Sequence, residues 1–144
     1  MGERIAESGF EIFAVTADKG IRAWAPDASG LFRAAALGLW SLMVDPDGVA
    51  RVREERVAVE AGDRETLLVA WLNELLYLHE VRALAGADVA VHAVSDTVLT
   101  ASVWGETLDP VRHQVVGHVK AVTYHDLSVV QNPRGWEARV VVDV

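Results

Sequence analysis

The 144-residue sequence contains no cysteine. This absence excludes a disulfide scaffold, a zinc site built from thiolates and a cysteine nucleophile. Long hydrophobic runs are also missing: the longest nearly apolar segment, Leu67 to Leu78, has twelve residues and includes Asn73 and Glu74. A segment this short and this polar does not span a bilayer, and Met1 to Ala6 lacks the apolar core of a signal peptide. We therefore expect a cytoplasmic protein without a membrane partner.

Basic residues are scarce. Thirteen Lys and Arg residues stand against twenty-one Asp and Glu residues, which gives a formal net charge of −8. Because a phosphate backbone repels such a chain, direct binding to nucleic acid is disfavoured, and a basic protein or a cation is the better electrostatic match. The five tryptophans are scattered along the chain, which favours core packing over a platform for stacking bases.

The motifs of common catalytic and cofactor sites are absent as well. No G-x-x-x-x-G-K or G-x-G-x-x-G loop is present to cradle phosphates, and no serine lies in a nucleophile elbow. His79-Glu80 lacks the second histidine of a zinc protease motif, and Asp45-Pro46-Asp47-Gly48 lacks the later Gly and Glu of a calcium-binding EF-hand loop. We expect the latter segment to be a simple turn, and the five histidines to be surface or hydrogen-bonded structural residues.

What the sequence does contain is enough apolar surface for a single folded domain over residues 1–144, since 51% of the residues are hydrophobic and 24% are charged. Helical apolar spacing predicts one helix over 27–44, capped by either Asp27 or Ser29, and a second that begins at Asp63. Alternating patterns predict strands at 49–61, around 89–91, and at 98–104, 119–130 (with a bend at Asp126) and 136–144. They also predict a hairpin over 9–25 that has Asp18 at its tip and Gly20 as the turn residue that can take a positive φ. The predicted class is α+β, with an antiparallel or mixed sheet packed by two long helices in two layers.

Three smaller features complete this prediction. A short helix is expected around 110–115, and a type I turn at Asn132-Pro133-Arg134-Gly135. The second long helix carries a narrow polar stripe formed by Thr66, Asn73, Tyr77 and Glu80. This stripe is either the outer face of an otherwise buried helix or a surface for a partner, and the sequence does not decide between them.

One group of residues suggests a metal site. Asp143 is followed by Val144, so its side chain lies close to the main-chain carboxylate of that residue. If the turn at 132–135 closes a hairpin, Asp143 falls near Tyr124 within two residues, flanked by Thr123 and His125. Asp18 is the obvious third carboxylate if the fold brings the two places together. Clustered carboxylates repel one another unless a cation lies between them, and oxygen ligands select Ca²⁺ or Mg²⁺; the simpler alternative is that both aspartates are merely solvated.

Several uncommon strings follow one another along the chain. They are Thr16-Ala17-Asp18, Gly20-Ile21-Arg22-Ala23-Trp24, Leu42-Met43-Val44-Asp45, Trp71-Leu72-Asn73-Glu74-Leu75-Leu76-Tyr77-Leu78, Gly105-Glu106, Val119-Lys120-Ala121-Val122-Thr123-Tyr124-His125, and Asp143 followed by one aliphatic residue. In this order and spacing they resemble the archease family over almost the full length of the chain. In that family a histidine usually precedes Thr-Ala-Asp and an aliphatic residue follows it, whereas this sequence has Val15 and Lys19 at those places.

The resemblance implies a small α+β protein that is not itself an enzyme. Archeases assist the RNA ligase that joins a cyclic phosphate end to a free hydroxyl end: they promote guanylylation of the ligase and allow repeated turnover. Some are linked to tRNA methyltransferases. The family binds a divalent cation, usually Ca²⁺, and the residues implied here are Asp18, Asp143 and an oxygen of Val144.

Three functions follow as hypotheses. The first is an accessory activator of an RNA ligase, in tRNA splicing, whose acidic metal-bearing surface docks on a basic partner. The second is a chaperone-like binding module for RNA-modifying enzymes such as tRNA methyltransferases, which needs no metal. The third is a small metal-dependent hydrolase using Asp18 and Asp143, which no nucleophile or general-base motif in the sequence supports.

Overall fold

The computed structural model describes residues 7–144. Its helices are α1 (Ala28–Ser41) and α2 (Arg64–Arg82). Its strands are β1 (Gly9–Val15), β2 (Asp18–Ala25), β3 (Arg53–Glu60), β4 (Leu84–Val94), β5 (Val98–Thr107), β6 (Ala121–Val122), β7 (Ser128–Asn132) and β8 (Gly135–Asp143). The predicted α+β class is confirmed.

The strands form two antiparallel sheets rather than one. The first sheet has the order β1-β2-β8-β6, and β7 also pairs with β8 on the same side as β6. The second sheet has the order β3-β5-β4. Every strand pairing in the described part of the chain is antiparallel. The last strand of the sequence, β8, therefore lies in the middle of the first sheet, next to β2 from the beginning of the chain.

A single hydrophobic core joins both sheets to both helices. Helix α1 packs mainly on β2 of the first sheet and β4 of the second, and also on β1 and β8. Helix α2 packs on the second sheet, on β6 and β7, and on α1. Trp71 of α2 lies fully buried between the helices, where its indole Nε1 donates a hydrogen bond of 2.9 Å to the carbonyl oxygen of Phe32 in α1. The two helices are thus fixed to each other by a buried ring and a buried polar contact.

An aspartate caps each helix: Asp27, one of the two predicted candidates, caps α1, and Asp63 caps α2 as predicted. The carboxylate of Asp27 accepts a hydrogen bond from the backbone N–H of Gly30, and Asp63 accepts one from the N–H of Thr66. These bonds satisfy donors that the first helical turn leaves free. The polar stripe on α2 lies on the exposed side of the helix: Asn73, Tyr77 and Glu80 are exposed and Thr66 is half-buried.

The first hairpin is tighter than predicted. Its turn consists of Thr16 and Ala17 alone, because Val15 already pairs with Asp18. The positive φ that such a turn needs falls on Ala17, at 64°, and not on Gly20. Gly20 instead pairs with Phe13, whose ring lies so close that a Cβ on the glycine would meet it at 2.0 Å. Asp18 is consequently the first residue of β2 rather than the tip of the hairpin.

Two predictions for the region after β5 are wrong. The segment 110–115 is not a short helix but a single turn, in which the N–H of His113 donates to the carbonyl of Asp109. The predicted strand over 119–130 is interrupted, because the chain leaves β8 after β6 and returns only at β7. Asp126, at which a bend was expected, lies in this excursion with a φ of 52°.

Candidate metal centre

The register of the first sheet brings the two aspartates of the candidate site together. Asp18 begins β2, Asp143 ends β8, and the two residues are direct cross-strand partners. Residues directly opposite each other in an antiparallel pair place their side chains on the same face, with Cβ atoms about 5 Å apart. Two carboxylates that are 125 positions apart in the sequence are therefore neighbours on one face of the sheet.

The environment of this pair leaves its carboxylates free to bind a ligand. Asp18 is half-buried and Asp143 is exposed. Within residues 7–144, neither carboxylate has a hydrogen bond or ion pair to another side chain. The main chain of Asp143 is held in place, since its carbonyl oxygen accepts a 2.8 Å hydrogen bond from the N–H of Lys120. Like charges directly opposite each other repel, and a cation placed between them removes that repulsion.

Lys19 does not share the face of the aspartates. It follows Asp18 in β2 and pairs with Val142, which is fully buried on the core side of β8. Because successive side chains of a strand point to opposite faces, the Lys19 ammonium group points away from the carboxylate pair. This cation therefore has no direct place between Asp18 and Asp143.

The donor set of the pair consists of oxygen atoms. No group of three or more His, Asp or Glu side chains close enough to hold a metal occurs among residues 7–144. A cation at the pair would thus be held by two carboxylates, with an oxygen of Val144 (a residue that is 37% exposed) and solvent completing its shell. Oxygen ligands with open positions fit Ca²⁺ or Mg²⁺, so the residues present suit the cation that the sequence suggested.

The expected neighbours on the other side of Asp143 are not in place. Its cross-strand partner in β6 is Ala121, three residues before Tyr124. The N–H and hydroxyl of Thr123 both bond to the carbonyl of Val141, and the chain then leaves the sheet. The prediction assumed a continuous strand back from the turn at 132–135. The excursion at 123–127 shifts the register and takes Tyr124 and His125 away from the pair.

A second cluster of charged groups, which the sequence did not reveal, surrounds Glu106 at the end of β5. One carboxylate oxygen accepts a 2.6 Å hydrogen bond from the N–H of Ala50 and lies 3.0 Å from Nε2 of His113. The other accepts from the guanidinium group of Arg112. The Ala50 N–H contributes most, followed by His113 and Arg112, and together they lower the pKa of Glu106 from 4.5 to about 2.

His113 is a structural residue, as predicted. Its ring is completely buried, and its Nδ1 accepts a 2.8 Å hydrogen bond from the N–H of Asp109. A neutral imidazole that accepts at Nδ1 carries its hydrogen on Nε2. This nitrogen lies 3.0 Å from a carboxylate oxygen of Glu106, but the angle between them is outside that of a hydrogen bond. The histidine therefore closes the turn at 109–113 through Nδ1 and packs its buried ring against Glu106 of β5.

Replacing Glu106 by Gln is expected to remove a pH-dependent part of the stability. Because its folded pKa is depressed to about 2, the carboxylate stabilises the fold above pH 4.5 and loses this contribution as the pH falls toward 2. In thermal melting between pH 7 and pH 3, the melting temperature of Glu106→Gln should lie below that of the wild type at pH 7. The difference between the two melting temperatures should become smaller as the pH falls. Glu60→Gln, at an exposed residue on β3, serves as the control with a constant small difference. A Glu106→Gln curve that parallels the wild type throughout would contradict this role.

One serine and one histidine do meet on the second sheet, outside the candidate site. Nε2 of His92 lies 2.8 Å from the hydroxyl of Ser102. The serine is only 1% exposed and lies in the middle of β5. In the described part of the chain, no carboxylate bonds to the other ring nitrogen of His92. This contact lacks the orienting carboxylate of a catalytic triad. Its role is to give the buried hydroxyl of Ser102 a hydrogen-bond partner.

The described helices include none with the length and apolar character that crossing a membrane requires.

Comparison with known proteins gives one consistent result. Residues 10–144 match the model of the Archease protein family (MTH1598/TM1083). "Protein archease" of Pyrococcus furiosus is 35% identical over 139 residues, covering 94% of this chain and 98% of the relative. "Protein archease" of Thermococcus gammatolerans is 38% identical over the same length and the same shares of both chains.

A solved structure agrees with these sequence matches. The solution structure of Methanobacterium thermoautotrophicum protein 1598 superposes with a TM-score of 0.80 at 34% identity, covering 94% of this chain and 99% of that one. It has the same arrangement of two helices on antiparallel sheets. The full-length match of the sequence and the shared architecture show that this chain belongs to the archease family.

Proposed function

We propose that this archease-type protein is a non-enzymatic accessory factor that activates a tRNA-splicing RNA ligase by promoting guanylylation and repeated turnover of that ligase. In this proposal Asp18, Asp143 and an oxygen of Val144 hold a divalent cation, with Ca²⁺ as the best match. The observation that carries the proposal is the direct cross-strand pairing of Asp18 with Asp143. Membership of the archease family supports the accessory role.

The charge of the chain suits a basic protein partner. The net charge is −8, and long-range attraction between an acidic and a basic surface speeds encounter and orients the partners. Asp18 and Asp143 lie at one end of the sheet, where a partner can reach them. A bound cation would supply positive charge for phosphoryl oxygens at the interface, while the two carboxylates fix its position.

The main test is ligation with the purified ligase present in small amount relative to RNA. Because the accessory factor renews the guanylylated ligase, product should exceed the amount of ligase only when this protein is added. Asp18→Ala or Asp143→Ala should remove that effect without unfolding the protein. Equal turnover with and without the protein would eliminate the proposal, and hydrolysis of a phosphoester by this protein alone would favour the hydrolase hypothesis instead.

A second candidate function is a chaperone-like module for RNA-modifying enzymes such as tRNA methyltransferases. It is favoured by large exposed apolar side chains near the loop between β5 and β6, since such surfaces in soluble proteins often bind other proteins. They are Val111, 96% exposed, Val52, 77% exposed, Val116, 57% exposed, and Val115, 52% exposed. Binding of this kind needs no metal, so protection of a methyltransferase from aggregation that persists in a chelator would favour it.

A further inference from the structure

A cavity lies where the first turns of both helices meet the connection between β4 and β5 and the strands β7 and β8. Its volume is about 150 Å³, the size of an engineered protein cavity that stays dry and binds benzene. Trp136 in its wall pairs with Ala25, seven residues along β2 from Asp18. Because a strand rises about 3.4 Å per residue, the cavity lies about 24 Å from the carboxylate pair, toward the opposite end of the first sheet.

The inner wall of the cavity is apolar. It is formed by Leu31 and Phe32 of α1 and by Val129 of β7, all of which are buried. These side chains offer water no hydrogen-bond partner, whereas an apolar group that enters the cavity gains by leaving water. A single aromatic ring suits this space in volume and in chemistry, and the ring of Phe32 gives it an aromatic neighbour.

The rim of the cavity carries an arginine that is held in position without a hydrogen bond. The guanidinium carbon of Arg64, the first residue of α2, lies 5.0 Å from the ring centre of Trp136. Its Nε lies 3.5 Å from a carboxylate oxygen of Asp96, which is exposed, and among residues 7–144 the guanidinium group has no hydrogen bond. Stacking on an aromatic ring orients a guanidinium group, and an exposed ion pair is weak. A carboxylate that enters the rim can therefore take the place of Asp96.

We propose that this cavity binds a small aromatic carboxylate, with the ring inside and the acid group on Arg64. The ring packs against the apolar wall, and the carboxylate accepts hydrogen bonds from the guanidinium donors at the rim. Both helices line the cavity with their first residues, Ala28 and Arg64, and the positive end of each helix dipole adds to the preference for an anion. This binding requires neither a metal nor a ligase, so it goes beyond the proposed function and stands independently of it.

The test titrates phenylacetate into the full chain, labelled with ¹⁵N, and follows the indole N–H signal of Trp136 by NMR. Phenylacetate should shift this signal saturably. Phenylacetamide has the same shape without the charge and should bind at least about fivefold more weakly. Arg64→Gln should reduce the affinity for phenylacetate to that for the amide and leave the affinity for the amide unchanged. Asp96→Asn removes the competing carboxylate and should tighten phenylacetate binding about two- to fivefold.

Two further variants check that the ligand occupies the cavity. Arg139→Gln removes an exposed guanidinium group that also lies over an aromatic ring, 4.2 Å from the ring centre of Phe13, but does not line the cavity. This matched control should bind phenylacetate as the wild type does. Ala28→Leu enlarges a half-buried side chain of the wall and should weaken the acid and the amide alike, with circular dichroism as the check that the variant is folded.

Each of four results would overturn the proposal. They are a Trp136 signal that does not shift saturably, equal affinities for phenylacetate and phenylacetamide, an affinity for phenylacetate that Arg64→Gln leaves unchanged, and a loss in Arg139→Gln as large as in Arg64→Gln. Unchanged binding in a folded Ala28→Leu variant would overturn it as well. If Ala28→Leu fails to fold, the opposite effects expected for Arg64→Gln and Asp96→Asn still decide.

Discussion

Trp71→Ala is expected to destabilise the protein by about 3–5 kcal/mol, the range for removing a large buried aromatic side chain. The ring is completely buried between α1 and α2, so the small alanine side chain leaves a cavity in its place. The substitution also removes the hydrogen bond from Nε1 to the carbonyl of Phe32. Urea unfolding followed by circular dichroism measures the loss, because both helices report on the same transition.

Two further variants separate the contributions to this effect. Trp71→Phe keeps most of the ring but loses the hydrogen bond, so it should destabilise less than alanine. Tyr77→Ala lies on the same helix, where the tyrosine is 49% exposed, and should change the stability by no more than about 0.5 kcal/mol. A Trp71→Ala variant as stable as Tyr77→Ala would show that the contact between the helices does not hold the core together.

The helices were predictable because their signals are local. Asp27 and Asp63 precede apolar residues at helical spacing and cap their helices, Asp27 being the one of two candidate caps that the structure uses. The observed α1 stops at Ser41, before the predicted end at residue 44. After that point Val44 forms an isolated bridge with Val115, and the N–H of Asp45 bonds to the carbonyl of Gln114. These contacts depend on a distant loop, which no local pattern encodes.

The division of the strands into two sheets could not be predicted from alternation alone. A pattern with a period of two shows that Val57 or Val140 faces a core, but it does not show which strand lies alongside. Long-range pairing decides which strands share a sheet. Strand β8 pairs with β2, from which it is separated by most of the sequence, whereas β3, β4 and β5 pair among themselves. The helices then pack against both sheets and close one core.

The candidate centre was predictable in part. Asp18 and Asp143 were named from the sequence, and the register of β2 with β8 makes them neighbours. The predicted position of Tyr124 was wrong because the excursion at 123–127 displaces the register. The sequence carried no signal for the cluster at Glu106, since its partners are the backbone N–H of Ala50 and two consecutive side chains, Arg112 and His113, of the turn that follows β5.

Calcium is expected to raise the melting temperature of the wild type, and Asp143→Asn is expected to abolish the rise. A cation present at one hundred times its dissociation constant stabilises the folded state by about 2.7 kcal/mol. For a chain of this size that corresponds to a shift of roughly 5–10 °C. The measurement compares melting in excess Ca²⁺ with melting in a chelator at constant ionic strength.

The same variant should behave in the opposite sense without calcium. In a chelator, Asp143→Asn removes one of two like charges that face each other across β2 and β8, so it should melt at the same temperature as the wild type or slightly above it. In Ca²⁺ it should melt below the wild type, because the asparagine amide no longer supplies a negative charge for the cation. The two curves therefore cross as calcium is added.

This crossing distinguishes a metal centre from a general effect of charge. Asp47→Asn removes the same charge at an exposed residue far along the sequence from the pair, and its carboxylate has no hydrogen bond in the described structure. It should keep the full calcium shift. If both variants keep the shift, or if the wild type has none, Asp18 and Asp143 do not hold a cation. A rise lost in Asp143→Asn alone would mean that binding requires the carboxylate at the end of β8, as the pairing of that strand with β2 predicts.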